Sequence, residues 1–272
     1  MLHQRPSDRW LIDAWDLRYG FPSSQRILVV EHDGYLARAI AYQLEHVGYE
    51  VLVCGYACEA QEMIEQVGLP HGAVVDLSSS DQAGDGLCQW VNAFSDIPTI
   101  ALMPSDVSEA RLQSIRAYTD AWLCKPFEPC HLTRRVQWLM HELGDSKLPS
   151  APLVQVDEAF AVDFVHQWIL LCGRKIPLSP PETKLMHILM RRSGCVVSTA
   201  FLAGRLDRSR NCNGAAEEAV HAVLQSLQQK LEAVQPGMCY IHAVPPSGYR
   251  FSQSESGGSR RNMQGVRRGG TN

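Results

Sequence analysis

Five apolar runs, each handed on to a helix-spaced segment, constrain this chain more than any other feature. RILVV (26–30), YEVLVC (49–54), GAVVDL (72–77), PTIALM (98–103) and AWLC (121–124) are short and β-rich. Between and after them come GYLARAIAYQLEHVG, ACEAQEMIEQVG, GLCQWVNAF, SEARLQSIRAY and CHLTRRVQWLMHEL. The first of these repeats apolar residues at Leu36, Ile40 and Leu44 and closes on Gly48. Apolar runs of strand length without polar alternation belong in a sheet covered on both faces. Strand and helix in strict alternation imply a doubly wound α/β fold with a five-stranded parallel sheet. Ligands of such sheets sit beyond the carboxyl ends of the strands. There this chain carries Glu31, His32 and Asp33 after the first strand, Asp76 in the third, and Lys125 after the fifth.

The remainder has a different pattern. Short strand-like pieces (LVQV, FAVDF, QWILL, KIPL) precede three helical stretches and the hairpin-like CYIHAVPPSGYRFS. This predicts an α+β domain over 152–252, joined to the first domain (26–140) by a polar linker at 141–151. Residues 1–25 form an N-terminal extension whose Trp10, Leu11, Ala14 and Trp15 make an amphipathic patch. Residues 253–272, rich in Gly, Ser and Arg, are expected to be a disordered basic tail.

Charge divides along the same lines. Residues 26–140 hold seven Lys and Arg against fifteen Asp and Glu, whereas 152–252 hold ten against eight. Only the second half could favour a polyanion. No apolar run approaches the ~18 residues needed to span a bilayer, and the first twenty residues carry charge where a secretory signal needs an apolar stretch. Nine cysteines, none in C-x-x-C spacing, point to reduced, buried thiols in a cytoplasmic protein. There is no phosphate-cradling glycine loop, no nucleophile elbow and no complete metal set, so the chain does not read as an enzyme.

The acidic pair at the first strand, the lone aspartate and the KPF motif together resemble the receiver domain of bacterial response regulators. The resemblance covers roughly residues 26–140. It implies that Asp76 stands at the phosphoacceptor position, that Glu31 and Asp76 contribute to a Mg²⁺ site, and that Lys125 contacts the phosphoryl group. Trp122 takes the aromatic switch position. The match is partial. His32 replaces the second acid, Met103 replaces the switch hydroxyl, and the loop LSSSDQAGDG is longer and adds Asp81 and Asp85. Imidazole suits Mg²⁺ poorly, thioether cannot donate to a phosphoryl oxygen, and extra carboxylates oppose added phosphoryl charge. Asp33, two residues after Glu31, is a candidate replacement acid. The favoured reading is an Asp76–Lys125 salt bridge left from a working site, with no bound cofactor. A transition metal held by Glu31, His32 and Asp76 is the less favoured one.

The segment 152–252 resembles the winged-helix effector domain of the OmpR/PhoB branch. The resemblance rests on the leucine-rich first helix, on VVS before the second, on the KL closing the third, and on GYRF in the wing. It implies that the third helix reads double-stranded DNA. Its apolar stripe is Val220, Val223, Leu224, Leu227, Leu231 and Val234, and its outer face carries Glu218, His221, Gln225, Gln228, Gln229 and Lys230. Glutamine can read adenine and glutamate can accept from cytosine, but one lysine is a thin phosphate grip. Arg205, Arg208 and Arg210, Arg250 in the wing beside Pro245 and Pro246, and tail arginines 260, 261, 267 and 268 are expected to compensate.

The branch also implies a receiver-mediated homodimer built on cross-subunit ion pairs. Asp120 and Arg135 fall where one such pair is expected, with His131 where an acid would often be. RNA polymerase is a further implied partner, whereas a sensor kinase follows only if Asp76 is phosphorylated. Three functions are in contention: a DNA-binding regulator largely independent of phosphorylation, which is favoured; a protein-interaction adaptor that no longer reads DNA; and a conventional regulator switched at Asp76.

Overall fold

The computed structural model describes residues 25–78, 82–143, 148–208, 214–237 and 239–252. Its first half is a five-stranded sheet in the order β2-β1-β3-β4-β5, with every neighbouring pair parallel. The strands are β1 (Arg26–Val30), β2 (Glu50–Cys54), β3 (Gly72–Asp76), β4 (Thr99–Met103) and β5 (Ala121–Cys124). The helices are α1 (Gly34–His46), α2 (Ala57–Val67), α3 (Ala83–Phe94), α4 (Glu109–Ile115) and α5 (Pro129–Glu142). The alternation read from the sequence is therefore the fold, except that α5 runs two residues into the stretch expected to be linker.

Successive residues of a strand face opposite sides, and the core divides accordingly. Ile27, Val29, Val74, Ile100 and Leu102 face Ile40 and Leu44 of α1 and Leu132, Val136 and Leu139 of α5. Leu28, Val30, Val75, Ala101 and Met103 face Ile64 of α2, Leu87 and Val91 of α3 and Ile115 of α4. Each such aliphatic side chain contributes about 1.5–3 kcal/mol by leaving water.

Strand order reverses at β1, which lies between β2 and β3, so the crevice at its carboxyl end is the natural ligand site. The register pairs Val30 with Val75, which places the residues after Val30 beside Asp76. Helix α3 comes unusually close to this point. A β-carbon at Gly84 would lie 2.6 Å from the Asp76 carbonyl oxygen, so only glycine lets α3 start there.

The second half begins with the antiparallel sheet β6 (Val154–Gln155), β7 (Phe160–Asp163), β8 (Trp168–Leu171) and β9 (Arg174–Pro177). Helices α6 (Pro180–Arg191), α7 (Thr199–Leu206) and α8 (Gly214–Val234) follow. Strands β10 (Val196–Val197), β11 (Ile241–Val244) and β12 (Gly248–Phe251) close the domain in the order β10-β12-β11. Helix α6 opens with a capping box, Ser179 and Glu182 satisfying each other's backbone N–H. The hairpin read from CYIHAVPPSGYRFS is β11–β12, and the expected stripe of α8 is its buried face, Val220, Leu224, Leu227 and Leu231 being fully buried. Gly248, at φ +135°, lies so close to β10 that a β-carbon would fall 2.0 Å from the Val197 carbonyl.

One apolar cluster continues from α2–α4 of the first sheet into the second domain, through Phe94 and Ile97 to Phe164, Leu185 and Leu189. The two halves are thus packed against each other, which nothing in the sequence announced. The expectation of buried thiols needs correction. All eight described cysteines are free, but only Cys54 and Cys88 are buried, while Cys58, Cys172, Cys195 and Cys239 are exposed. Burial pushes the Cys54 thiol up to about 11.

Candidate functional site

The parallel register delivers three charged side chains to one point. Lys125 Nζ lies 2.7 Å from Glu31 Oε2 and 3.0 Å from Asp76 Oδ2, bridging the two carboxylates. The Glu31 side chain is wholly buried. Asp76 Oδ1 accepts a hydrogen bond from the Ser78 backbone N–H at 3.0 Å. Burial alone would raise the Asp76 pKa; the hydrogen bonds from Ser78 and the Lys125 ammonium outweigh it and hold the carboxyl below its ordinary value.

His32 takes the place of an acid. Its Nδ1 is 3.0 Å from Asp76 Oδ2 and 3.4 Å from Glu31 Oε1. Asp33 does not join them. Its carboxylate caps α1, accepting from Tyr35 N at 2.9 Å and Leu36 N at 3.2 Å, because the chain turns into the helix at that residue. Asp85 is also no part of the pocket. It is buried and paired with Arg111 at 2.6–2.7 Å, with Tyr118 donating a further hydrogen bond. Its charge is thus neutralised between α3 and α4 and adds nothing against a phosphoryl group. Asp81 lies outside the described residues.

Met103 is fully buried at the end of β4, so the switch position holds a thioether with no hydrogen to donate. Trp122 is half-buried, with the Arg116 guanidinium 5.1 Å from its ring centre. An open groove of about 560 Å³ leads in from solvent past His32, Gly55, Tyr56, Cys58, Asp76, Ser78 and Gly84.

Mg²⁺ asks for oxygen ligands in a near-octahedral shell at about 2.0–2.1 Å. The donor set here offers one imidazole nitrogen and two carboxylates already neutralised in part by Lys125. This donor set departs from the all-oxygen shell that Mg²⁺ favours.

On α8, His221, Gln225 and Gln229 are exposed as expected. His221 Nδ1 is 2.7 Å from the Tyr249 hydroxyl, which ties the helix to the wing. Gln228 is less free, donating to the Ile241 carbonyl at 3.2 Å. Lys230 is turned inward, 2.7 Å from Glu182 and 3.0 Å from the Pro177 carbonyl. Arg250 is exposed on the wing. Arg210 and the four tail arginines lie outside the described residues, as do Trp10, Leu11, Ala14 and Trp15.

Arg205 and Arg208 are placed quite differently from expectation. They do not stand on a free surface but reach into the first domain. Arg205 binds Asp96 and, at 2.6 Å, Asp120 Oδ1. Arg208 lies 3.3 Å from the same Asp120 oxygen. Asp96 is fully buried, with Arg192 at 3.7 Å and its carbonyl bound by Arg191. Its backbone N–H donates to His187 Nδ1 at 3.0 Å. Lys184 donates to both the carbonyl and the side-chain oxygen of Asn92, at 2.7 and 2.9 Å. Burial, with the nearby Arg208 guanidinium, lowers the Lys184 pKa to about 7.

Asp120 is therefore engaged within the chain, and the Asp120–Arg135 pairing across a dimer is not available in this arrangement. Arg135 instead stacks on Trp138, 5.2 Å from its ring centre. Sequence reasoning missed Asn92, Asp96, Lys184, His187, Arg191 and Arg192 altogether. The partners stand roughly 90 residues apart, and nothing in their local pattern signals a shared interface.

A parallel sheet with an aspartate and a lysine converging at its switch point, followed by a winged helix, defines a two-domain response regulator. Comparison with known proteins agrees. Residues 173–251 match the family model described as transcriptional regulatory protein, C terminal. The swarming motility regulation protein RssB of Serratia marcescens is 30% identical over 183 residues, 66% of this chain and 80% of RssB. The transcriptional regulatory protein BaeR of Escherichia coli O6:H1 is 26% identical over 236 residues, 84% of this chain and 93% of BaeR. The solved structure of response regulator DrrB, a Thermotoga maritima OmpR/PhoB homolog, aligns at 20% identity with a TM-score of 0.39, covering 85% of this chain and all of DrrB. The chain belongs to the OmpR/PhoB family of response regulators and is a transcription regulator of that type. Among the described residues no helix is long and apolar enough to cross a membrane.

Proposed function

We propose that this protein binds double-stranded DNA through α8 and the β11–β12 wing and regulates transcription largely independently of phosphorylation at Asp76. The observation that carries the proposal is the imidazole of His32, 3.0 Å from Asp76 Oδ2 where a metal-binding acid would be needed. Met103 supports it from the other side. Even a phosphorylated Asp76 would find no hydroxyl donor at the end of β4 to pull the switch. Lys125, already bridging Glu31 and Asp76, serves in this reading as a structural cation that holds two buried carboxylates together.

The receiver domain's role is then mechanical. Its Asp96 and Asp120 hold Arg191, Arg192, Arg205 and Arg208 of the effector domain, so the closed chain withdraws Arg205 and Arg208 from solvent. Control would act on this contact by any signal that opens it. Homodimerisation remains part of the proposal, now resting on the exposed face of α5 around Arg135 and Trp138 rather than on Asp120. RNA polymerase is the partner expected once the protein is bound at a promoter.

The inward turn of Lys230 supports a second reading, a protein-interaction adaptor without sequence-specific DNA binding. Selection of bound duplexes from a random library by the full-length protein, at near-physiological salt, separates the two. A regulator enriches a tandem or inverted half-site, with adenines opposite Gln225 and Gln229. An adaptor enriches none.

A further inference from the structure

The donor atoms around Asp76 are spaced like ligands in a coordination shell. With bonds of about 2.0–2.2 Å, adjacent ligand atoms stand roughly 3.0 Å apart in an octahedron and roughly 3.4 Å apart in a tetrahedron. His32 Nδ1 lies 3.0 Å from Asp76 Oδ2 and 3.4 Å from Glu31 Oε1. All three atoms fall within 4.8 Å of one another.

We propose that this pocket binds a first-row transition cation of the Zn²⁺ type through Glu31, His32 and Asp76. The proposal rests on the reading that His32 makes the site unfit for Mg²⁺, and it says what the altered site is fit for.

Three features support it. Imidazole with carboxylate suits Zn²⁺, Fe²⁺ and related ions, whose bonds to nitrogen are strong where that of Mg²⁺ is weak. The carboxylates are held in place by outer partners, as ligating groups usually are. Glu31 Oε2 meets Lys125 at 2.7 Å, Glu31 Oε1 accepts from Asp33 N at 3.1 Å, and Asp76 Oδ1 accepts from Ser78 N at 3.0 Å. Each carboxylate oxygen has two lone pairs. Asp33 N takes one on Glu31 Oε1 and Lys125 one on Asp76 Oδ2, and the other on each faces His32 Nδ1, where a cation would replace the hydrogen bond from the imidazole. Finally, the groove past Tyr56 and Cys58 gives water or a small anion access to the remaining positions.

Charge sets the strength. Two carboxylates and one ammonium leave the pocket at about −1, less than an unpaired acidic pair would offer. Binding should therefore be moderate and reversible, suited to reporting metal supply. Lys125 contacts Glu31 through the oxygen that His32 does not face, but it shares Asp76 Oδ2 with His32 at 3.0 Å. A bound cation and the ammonium would therefore lie on the two lone pairs of one oxygen and weaken each other.

Calorimetric titration of the full-length protein with Zn²⁺, and separately with Mg²⁺, tests this. Exposed thiols can also bind Zn²⁺, and Glu128, Cys130 and His131 offer a second group of candidate ligand atoms within 4.8 Å of one another. The titrations are therefore run with Cys58, Cys130, Cys172, Cys195 and Cys239 changed to serine. The expected result is one Zn²⁺ bound, weakened at least about tenfold in both His32→Ala and Asp76→Asn, and no Mg²⁺ binding in the same range. His32→Asp keeps the fold with an oxygen ligand and is expected to exchange the preference, losing Zn²⁺ and gaining Mg²⁺. Zn²⁺ affinity unchanged by His32→Ala, or no Zn²⁺ bound at all, overturns the metal site and leaves the phosphorylation-independent reading standing. Mg²⁺ bound by the parent protein as tightly as Zn²⁺ overturns that reading instead.

Discussion

Asp96→Asn is the substitution that most directly probes how the two domains are held. The side chain is fully buried and is shared by Arg205, Arg192 and, at 4.0 Å, Arg208. Arg192, Arg205 and Arg208 converge on the Asp96 carboxylate and Arg191 on its backbone carbonyl, so the change removes negative charge from a cationic cluster. Removing one partner of a buried pair costs about 3–5 kcal/mol. Because Arg205 keeps Asp120 at 2.6 Å, about 2–3 kcal/mol is the better figure, a shift of roughly 30- to 160-fold toward the open form. Asparagine is isosteric and retains the backbone N–H that donates to His187, so folding of each domain should be unaffected. Small-angle scattering should show a larger radius of gyration. Binding to a non-specific duplex, followed by fluorescence anisotropy, should tighten as Arg205 and Arg208 are released. Two new phosphate contacts would steepen the salt dependence of log K by about 1.8. An unchanged radius together with an unchanged salt slope would refute the idea that Asp96 withholds these arginines.

Three further outcomes are expected. His187 is buried, and burial followed by the nearby Arg191 charge holds its pKa well below the usual 6.5; Lys184 is likewise lowered to about 7 from 10.5. Separated domains therefore take up protons more readily than closed ones. Closure should weaken as pH falls from about 10.5 to about 7 through Lys184, and again below about 6.5 through His187; scattering between pH 8 and 5.5 checks the direction. The double change His32→Asp with Met103→Thr restores both an oxygen ligand and a hydroxyl, so acetyl phosphate with Mg²⁺ should modify Asp76 in the variant, read by intact-mass spectrometry. Gly248→Ala forces a side chain against the Val197 carbonyl 2.0 Å away at a φ that alanine avoids; a loss of more than about 1 kcal/mol in denaturant unfolding is expected.

The receiver fold was legible because its signal is periodic. Each strand is a short unbroken apolar run, and burial on both faces is the only environment that accepts one. Glu31, Asp76 and Lys125 were legible for the same reason, since strand ends in a parallel sheet converge whatever lies between them. The fate of Asp33 was not, because its carboxylate could cap α1 or face the pocket, and only the turn into the helix decided. Asp85 misled because a carboxylate after the third strand looks like part of the pocket, whereas Arg111, 26 residues on, removes it. Arg205 and Arg208 misled most. Arginine at the end of a helix before a recognition helix has one local interpretation, phosphate contact, and that interpretation ignores the other domain. The contact with Asp96 and Asp120 spans roughly 85 to 110 residues, and surface charges carry no periodicity by which to find such partners.

The central claim, regulation without an Asp76 phosphoryl switch, is most directly tested by measuring DNA affinity of the full-length protein before and after incubation with acetyl phosphate and Mg²⁺. Intact mass is followed in the same samples. The account predicts no mass gain at Asp76 and one unchanged binding curve. A stoichiometric phosphoryl adduct that is absent in Asp76→Asn and tightens DNA binding would contradict it.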